Sequence, residues 1–301
     1  METCNLNLNP NLTPAQLALL PTESDIAFYE AHGWYISAPI IPEEIIDQAI
    51  AGSERFYQGK RDATLPVKEG FSDWKPGDTS AIRNNEFVSL QNRDLRQLAL
   101  QPVIGAIASR LARTSQIRLL DDQLVYKPPQ DKGNTSVVGW HADRAYWATC
   151  TSDRLLTAWI PFHDCDEERG PLVVMDGSHQ WPGLEHLRYF NQTNLAELEH
   201  RLSEEGRSVV KVPMALKKGQ VSFHNCWTIH GSYPNRSPEP RLALAVHLQD
   251  CANQYRAFKN AKGQDIHIFD EQLCRKLPNG DPDFSDPDIF PVLWQAKSEA
   301  S

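Results

Sequence analysis

The residues best suited to chemistry are His141 and Asp143, two apart at the end of a strand-like run. In a strand, residues two apart point to the same side, so an imidazole nitrogen and a carboxylate oxygen can reach one ion. That donor pair suits a hard, redox-active metal. A second imidazole from a distant strand would complete a facial triad with open positions. His230 is the best candidate, in WTIHGS at 227–232, where Gly231 leaves room for close approach of a ligand. Alone, the His141/Asp143 pair is a weak signal, because a hydrogen-bonded pair at a strand end has the same spacing. Zinc competes for the set, since two histidines and an aspartate also form an open zinc site that activates water for hydrolysis. Other histidines are less persuasive. His224 shares parity with His230, but Asn225 and Cys226 mark a bend between them. His163 precedes an acidic turn and His179 lies in a loop, so all three are assigned structural or surface roles.

The elements that must position these residues change in texture along the chain. Residues 1–22 read as a loosely held arm. A helical segment at 24–32 closed by Gly33, a strand at 34–36 and a helix opened by Pro42, Glu43 and Glu44 follow. An apolar stripe of Leu98, Val103, Ile104, Ile107 and Leu111 predicts one long helix over 94–111. Strand candidates then dominate, at 123–127, 136–141, 155–162, 172–175, 208–213, 220–224, 227–230 and 241–248. Eight short strands after a helical first third predict a mainly β fold with flanking helices, a double-stranded β-helix (jelly roll, cupin-like). Residues 23–251 are expected to form this single domain. Residues 181–205 are an insertion too long for a hairpin, helical at 195–202, that covers or lines the site. Residues 252–301 are expected to be an extension packed on the domain's outside.

Composition excludes several classes. The 301 residues are 41% hydrophobic, enough for a real core, and carry a formal net charge of −9. Basic residues form no dominant run, so no nucleic-acid partner is expected. No stretch of eighteen apolar residues predicts a membrane span, and residues 1–11 show no basic–apolar leader, so a cytoplasmic location is expected. Cys4, Cys150, Cys165, Cys226, Cys251 and Cys274 form no CxxC pair and read as free thiols. Cys150 and Cys226, near the candidate site in sequence, read as buried small hydrophobes.

Motifs around these residues extend the picture: GWHAD at 139–143, TAWIPF at 157–162, GPLVVMDGSH at 170–179, KGQVSFH at 218–224, IHGS at 229–232, PNRS at 234–237, and Arg241. In order and texture the chain resembles the phytanoyl-CoA dioxygenase (PhyH-like) family of Fe(II)/2-oxoglutarate oxygenases over roughly residues 24–250. The resemblance implies Fe(II) as cofactor, held by His141, Asp143 and His230, with 2-oxoglutarate and O2 as co-substrates. It places Arg241 where the family keeps its 2-oxoglutarate arginine, and Ser232, Trp159 and, by a looser match, Gln123 along the co-substrate pocket. The chemistry agrees, because a planar guanidinium fork holds a carboxylate in one orientation and a serine hydroxyl can donate beside it. Halogenating members carry a small residue in place of the carboxylate. Asp143 therefore implies hydroxylation of an aliphatic carbon, with succinate and CO2 as co-products.

Substrate contacts are expected from Arg144, Tyr146 and Trp147, directly after the ligands, and from the segment 71–85 with Arg83 and Asn84. Arg144 is a candidate for a substrate carboxylate or phosphate. The partner is expected to be a free small metabolite. The competing readings are a same-fold halogenase, desaturase or cyclase, and a non-enzymatic jelly-roll binding protein.

Overall fold

A computed structural model describes residues 12–65, 71–78, 81–130 and 136–296. Residues 1–11 of the expected arm, with Cys4, lie outside the described residues, as do 66–70, 79–80, 131–135 and 297–301.

The first third is helical, and its boundaries follow local chemistry. Thr13 caps α1 (Pro14–Leu17) and Thr22 caps α2 (Glu23–His32), each with a reciprocal capping box that satisfies two end donors. After β1 (Trp34–Ile36), Pro42 opens α3 (Glu43–Tyr57), with Glu43 and Glu44 at the positive end of its dipole. β2 (Arg83–Glu86) follows. The helix predicted over 94–111 is two helices, α4 (Arg93–Ala99) and α5 (Pro102–Leu111). Pro102 breaks it, because proline offers no N–H and its ring disfavours a helical residue before it.

Beyond Ser115 strands take over. β3 (Gln116–Lys127), β4 (Val138–His141), the short α6 (Asp143–Tyr146), β5 (Leu156–Pro161) and β6 (Val173–Met175) lead to α7 (Leu195–Glu204). Then come β7 (Lys211–Pro213), β8 (Ser222–Asn225), β9 (His230–Ser232) and β10 (Arg241–Asp250). The tail adds β11 (Phe258–Lys259), β12 (Asp265–Ile266), α8 (Asp270–Leu273) and β13 (Val292–Gln295).

The larger sheet runs β1-β8-β5-β10-β3-β13, and β2 also pairs with β3; the smaller runs β4-β9-β6-β7. This corrects the expected double-stranded β-helix. The fold is mixed α/β with several sheets, and no sheet closes or curls into a barrel. Alternation along the chain identifies strands, but it does not say which edges will pair.

Alternation does set the two faces of the larger sheet. Leu124, Ala158, Ile160, Phe223, Leu244 and Val246 face α2–α5 and pack with Ile46, Leu98, Ile104 and Ile107 in the main core. Their strand neighbours Gln123, Thr157, Trp159, Ser222, His224, Ala245 and His247 therefore face the other way. The tail contributes a further core, in which Phe284 and Phe290 pack with Leu120, Trp147 and Cys150, and β13 joins the sheet beside β3.

Phe290 is fully buried. Phe290→Ala is expected to destabilise the protein by about 3–5 kcal/mol, the cost of an emptied aromatic site. Urea denaturation checks this; an unchanged midpoint would rule out this packing of the tail.

Candidate metal centre

The end of β4 and the start of β9 are antiparallel neighbours, with His141 paired to His230. Ala142 keeps an extended conformation (φ −116°, ψ 129°) before the chain turns into α6, so strand alternation persists to Asp143. Close approach of backbones makes this possible. A Cβ on Gly139 would meet Tyr189 O at 1.8 Å, and one on Gly231 would meet Val138 O at 2.8 Å. Gly231 thus admits the neighbouring strand, a different task from the one its position suggested.

His141, Asp143 and His230 are buried, and one ligand atom from each lies within 4.8 Å of the others. Asp143 Oδ1 is 3.6 Å from His141 Nε2 and 3.3 Å from His230 Nε2. Each imidazole is oriented from behind: His141 Nδ1 is 2.8 Å from Gly139 O, and His230 Nδ1 is 3.0 Å from Thr228 O. A carbonyl only accepts, so Nδ1 carries the proton and Nε2 keeps its lone pair for a metal.

The second oxygen of Asp143 is tied differently. Thr157 Oγ1 donates to Asp143 Oδ2 at 2.6 Å and lies 2.8 Å from His247 Nδ1, and His224 Nε2 is 3.3 Å from the same Oδ2. The sheet aligns these three residues, because His247 pairs with Thr157 and Thr157 with His224. Burial and neighbouring His230 push His141 down to about 3, and the same pair of causes pushes His224 down to about 4. Burial opposes ionisation of Asp143, but His230 and His224 outweigh it and hold the carboxyl well below the usual range. Burial lowers His230 too, but Asp143 and the Thr228 carbonyl outweigh it and raise its imidazole above the ordinary value, so a metal would displace a proton there. With that proton gone the centre offers two imidazole nitrogens and one carboxylate, an appropriate donor set for Fe(II).

A second polar cluster lies beside Ser232, two residues along β9. Arg241 and Lys127 pair across β10 and β3, and both are almost wholly buried. Lys127 Nζ donates to Ser232 Oγ and, at 2.6 Å, to Tyr233 O. Arg241 lies 5.5 Å from the Trp159 ring, and its Nε has no hydrogen-bond partner. No carboxylate forms an ion pair with either cation among the described residues. Burial, and then Arg241, push the Lys127 ammonium well below its ordinary value. A buried guanidinium with an unpartnered Nε and no counter-ion is costly, which points to an anionic ligand at Arg241 that would also favour the charged form of Lys127 beside it. Lys127 was missed in the sequence because nothing local separates a buried lysine from a solvated one.

A cavity of about 680 Å³ opens at the metal ligands. His141, Asp143, Tyr146, Trp147, Gln123 and Asn84 line it. Gln123 Nε2 donates to Glu86 Oε1 at 3.1 Å. Arg144 is not among the lining residues. Its guanidinium donates to Trp147 O, to Cys150 O at 2.7 Å and to Asp153 at 3.2 Å, so it holds the loop after α6. Arg83 stacks on Trp74 and Tyr126. Cys150 and Cys226 are buried, and burial raises both thiols, Cys150 to about 12. His224, assigned a structural or surface role, sits within the centre. The turn after β8 carries the chain from the larger sheet to the smaller, and the rings of His224 and His230 meet with centroids 4.3 Å apart.

The family model for phytanoyl-CoA dioxygenase (PhyH) matches residues 29–243. The chain belongs to this family. Among its curated relatives, the peroxisomal phytanoyl-CoA dioxygenase of Bos taurus is 27% identical over 258 residues, 83% of this chain and 74% of that protein. The ectoine dioxygenase of Bordetella bronchiseptica is 26% identical over 230 residues, 71% of this chain and 70% of that protein. The alpha-ketoglutarate-dependent carbocyclase SnoK from nogalamycin biosynthesis shares the fold, with TM-score 0.67 and 24% identity over 90% of this chain and 96% of that one. With the triad in place, this PhyH-family chain is an enzyme of the Fe(II)/2-oxoglutarate-dependent oxygenase type. The cytoplasmic expectation is overturned, because the rat, cattle, mouse and human relatives are named peroxisomal. Compartment depends on short addresses read by receptors, which composition does not reveal. No helix among the described residues is long and apolar enough to cross a membrane.

Replacing both His141 and His230 with alanine is expected to abolish Fe(II) binding in anaerobic titration. Thr157→Val leaves all three ligands but removes the 2.6 Å donor to Asp143 Oδ2, and should weaken Fe(II) by about 10–100-fold. Affinity equal to that of the parent protein would show that Thr157 does not orient the carboxylate.

Proposed function

We propose that this enzyme hydroxylates an aliphatic carbon of a small metabolite, with His141, Asp143 and His230 holding Fe(II). The buried Lys127/Arg241 pair beside Ser232 is the observation that carries the 2-oxoglutarate half of this reading. A zinc hydrolase has no use for a buried guanidinium without a counter-ion, paired across the sheet with a buried lysine. Fe(II) with 2-oxoglutarate supplies the oxidising chemistry that puts oxygen from O2 into a C–H bond, releasing succinate and CO2.

The chain's own contribution is binding, orientation and exclusion of water. Arg241 and Lys127 are placed to hold the distal carboxylate of the keto acid, with Ser232 as a hydroxyl partner and Trp159 packing beside the guanidinium. Gln123, assigned to the same pocket by resemblance, lines the substrate cavity and fits better as its wall. Arg188, Phe190 and Asn191 of the 181–205 insertion line the same cavity, which supports the insertion as part of its cover. Tyr146 and Trp147 form an aromatic wall next to the ligands. The carboxylate of Asp143 favours hydroxylation over halogenation, since it fills the position a halide would take.

Arg241→Ala should weaken 2-oxoglutarate by about 2–5 kcal/mol while Fe(II) affinity stays unchanged. Anaerobic titration, read by the visible charge-transfer band of the iron chelate, measures both; an unaltered keto-acid affinity would remove Arg241 from this role. The reaction itself is tested by substrate-dependent succinate release across a metabolite panel, corrected for uncoupled turnover. Product mass should rise by one oxygen atom. Retained mass, or loss of two hydrogens, would overturn hydroxylation.

A further inference from the structure

Three carboxylates in the cavity at the metal centre have no cationic partner among the described residues. Glu86 on β2 and Asp121 on β3 lie close together, because Glu86 pairs with Gln123, two residues from Asp121. Asp270 opens α8, and all three line the cavity. Asp121 is 6% exposed and Asp270 4%. Among the described residues, the hydrogen-bond donors to these side chains are neutral. Glu86 accepts from Ser72 N at 2.9 Å and from Gln123 Nε2 at 3.1 Å, and Asp121 accepts from Asp122 N at 2.6 Å. Asp270 Oδ1 is buried with no partner at all. By contrast Asp73, in the same wall, is answered by Arg61 at 2.6 Å. No lysine, arginine or histidine forms an ion pair with Glu86, Asp121 or Asp270 among the described residues.

Aromatic rings complete this part of the wall. Phe87 and Phe269 line the cavity, with ring centroids 5.3 Å apart, and Phe71 packs 4.5 Å from Phe269. Carboxylates with flanking aromatic faces form the environment that attracts an organic cation.

We infer that the substrate is an organic cation, an alkylammonium or guanidinium compound. Its charged head lies against Glu86, Asp121 and Asp270, and an aliphatic carbon of the same molecule faces His141 and Asp143. This rests on the oxygenase reading of the cavity and names its substrate class. Burial raises Glu86 and Asp270 to about 7 each and Asp121 well above the ordinary carboxylate value, and repulsion from Glu86 adds to the rise at Asp121 and Asp270. The carboxyls therefore hold part of their protons near neutral pH. A bound cation replaces them, whereas an anion meets like charge and a neutral molecule leaves the carboxyls unanswered.

Calorimetric titration of the full-length protein with hexylamine, hexanol and hexanoate tests this, in two buffers of different ionisation enthalpy. Hexylammonium should bind at least about tenfold tighter than hexanol, about 1.4 kcal/mol, and release protons to the buffer. Hexanoate should bind weakest. The preference should disappear in the Glu86→Gln, Asp270→Asn double variant, with folding verified by thermal melting. Absent or unselective amine binding, or a preference that survives in the folded double variant, overturns the inference. If the variant fails to fold, selectivity and proton release in the parent protein decide. The chelate band of Fe(II) with 2-oxoglutarate is read separately. A normal band without cation preference removes this inference alone. Absence of the band removes the oxygenase reading and, with it, the cation's assignment as substrate.

Discussion

The division of labour within the Asp143 carboxylate is the constraint on which the centre depends. Oδ2 accepts from Thr157 and lies against His224, while Oδ1 faces the Nε2 atoms of His141 and His230. A buried carboxylate is costly unless its oxygens are answered, and hydrogen bonds alone answer one side of this one. The other side is left for an ion. Because Thr157, His224 and His247 come from three adjacent strands, the orientation of one carboxylate is set by the larger sheet, although its partners in ligation lie on the smaller one.

The same sheet explains why the site can be so polar without unravelling the fold. One of its faces is apolar and packs against four helices, and that face supplies the main core. The opposite face is free to carry Gln123, Lys127, Thr157, His224, Arg241 and His247. Along one strand the alternation therefore separates stability from chemistry. Thr157 bonds Asp143 and Trp159 packs beside Arg241, while Ala158 and Ile160 serve the core.

The cavity joins segments that are far apart in the chain. Glu86 comes from an edge strand, Asp121 from the long β3, Arg188 from the insertion and Asp270 from the tail. The tail was expected on the outside, yet its α8 lines the cavity and its β13 extends the sheet. Polar composition concealed this, because a segment can bury a few aromatic anchors such as Phe284 and Phe290 while staying hydrophilic on average. Arg144 shows the reverse case. Its position beside Asp143 suggested a substrate contact, but its guanidinium donates to the carbonyls of its own loop.

Residue type and spacing made His141, Asp143 and His230 candidates, because strand alternation and donor chemistry are local properties that survive in one dimension, and the family resemblance singled them out as a set. They also sufficed for most strands and for the helical first third, where caps and prolines act within a few residues. Only the tertiary structure decided that the sheets remain open, that His224 and Thr157 support Asp143, that Lys127 is buried beside Arg241, and that three carboxylates share one cavity. Edge pairing, burial and the presence or absence of a counter-charge depend on distances between remote residues. Their energies arise when water is removed from between groups that the chain order keeps apart.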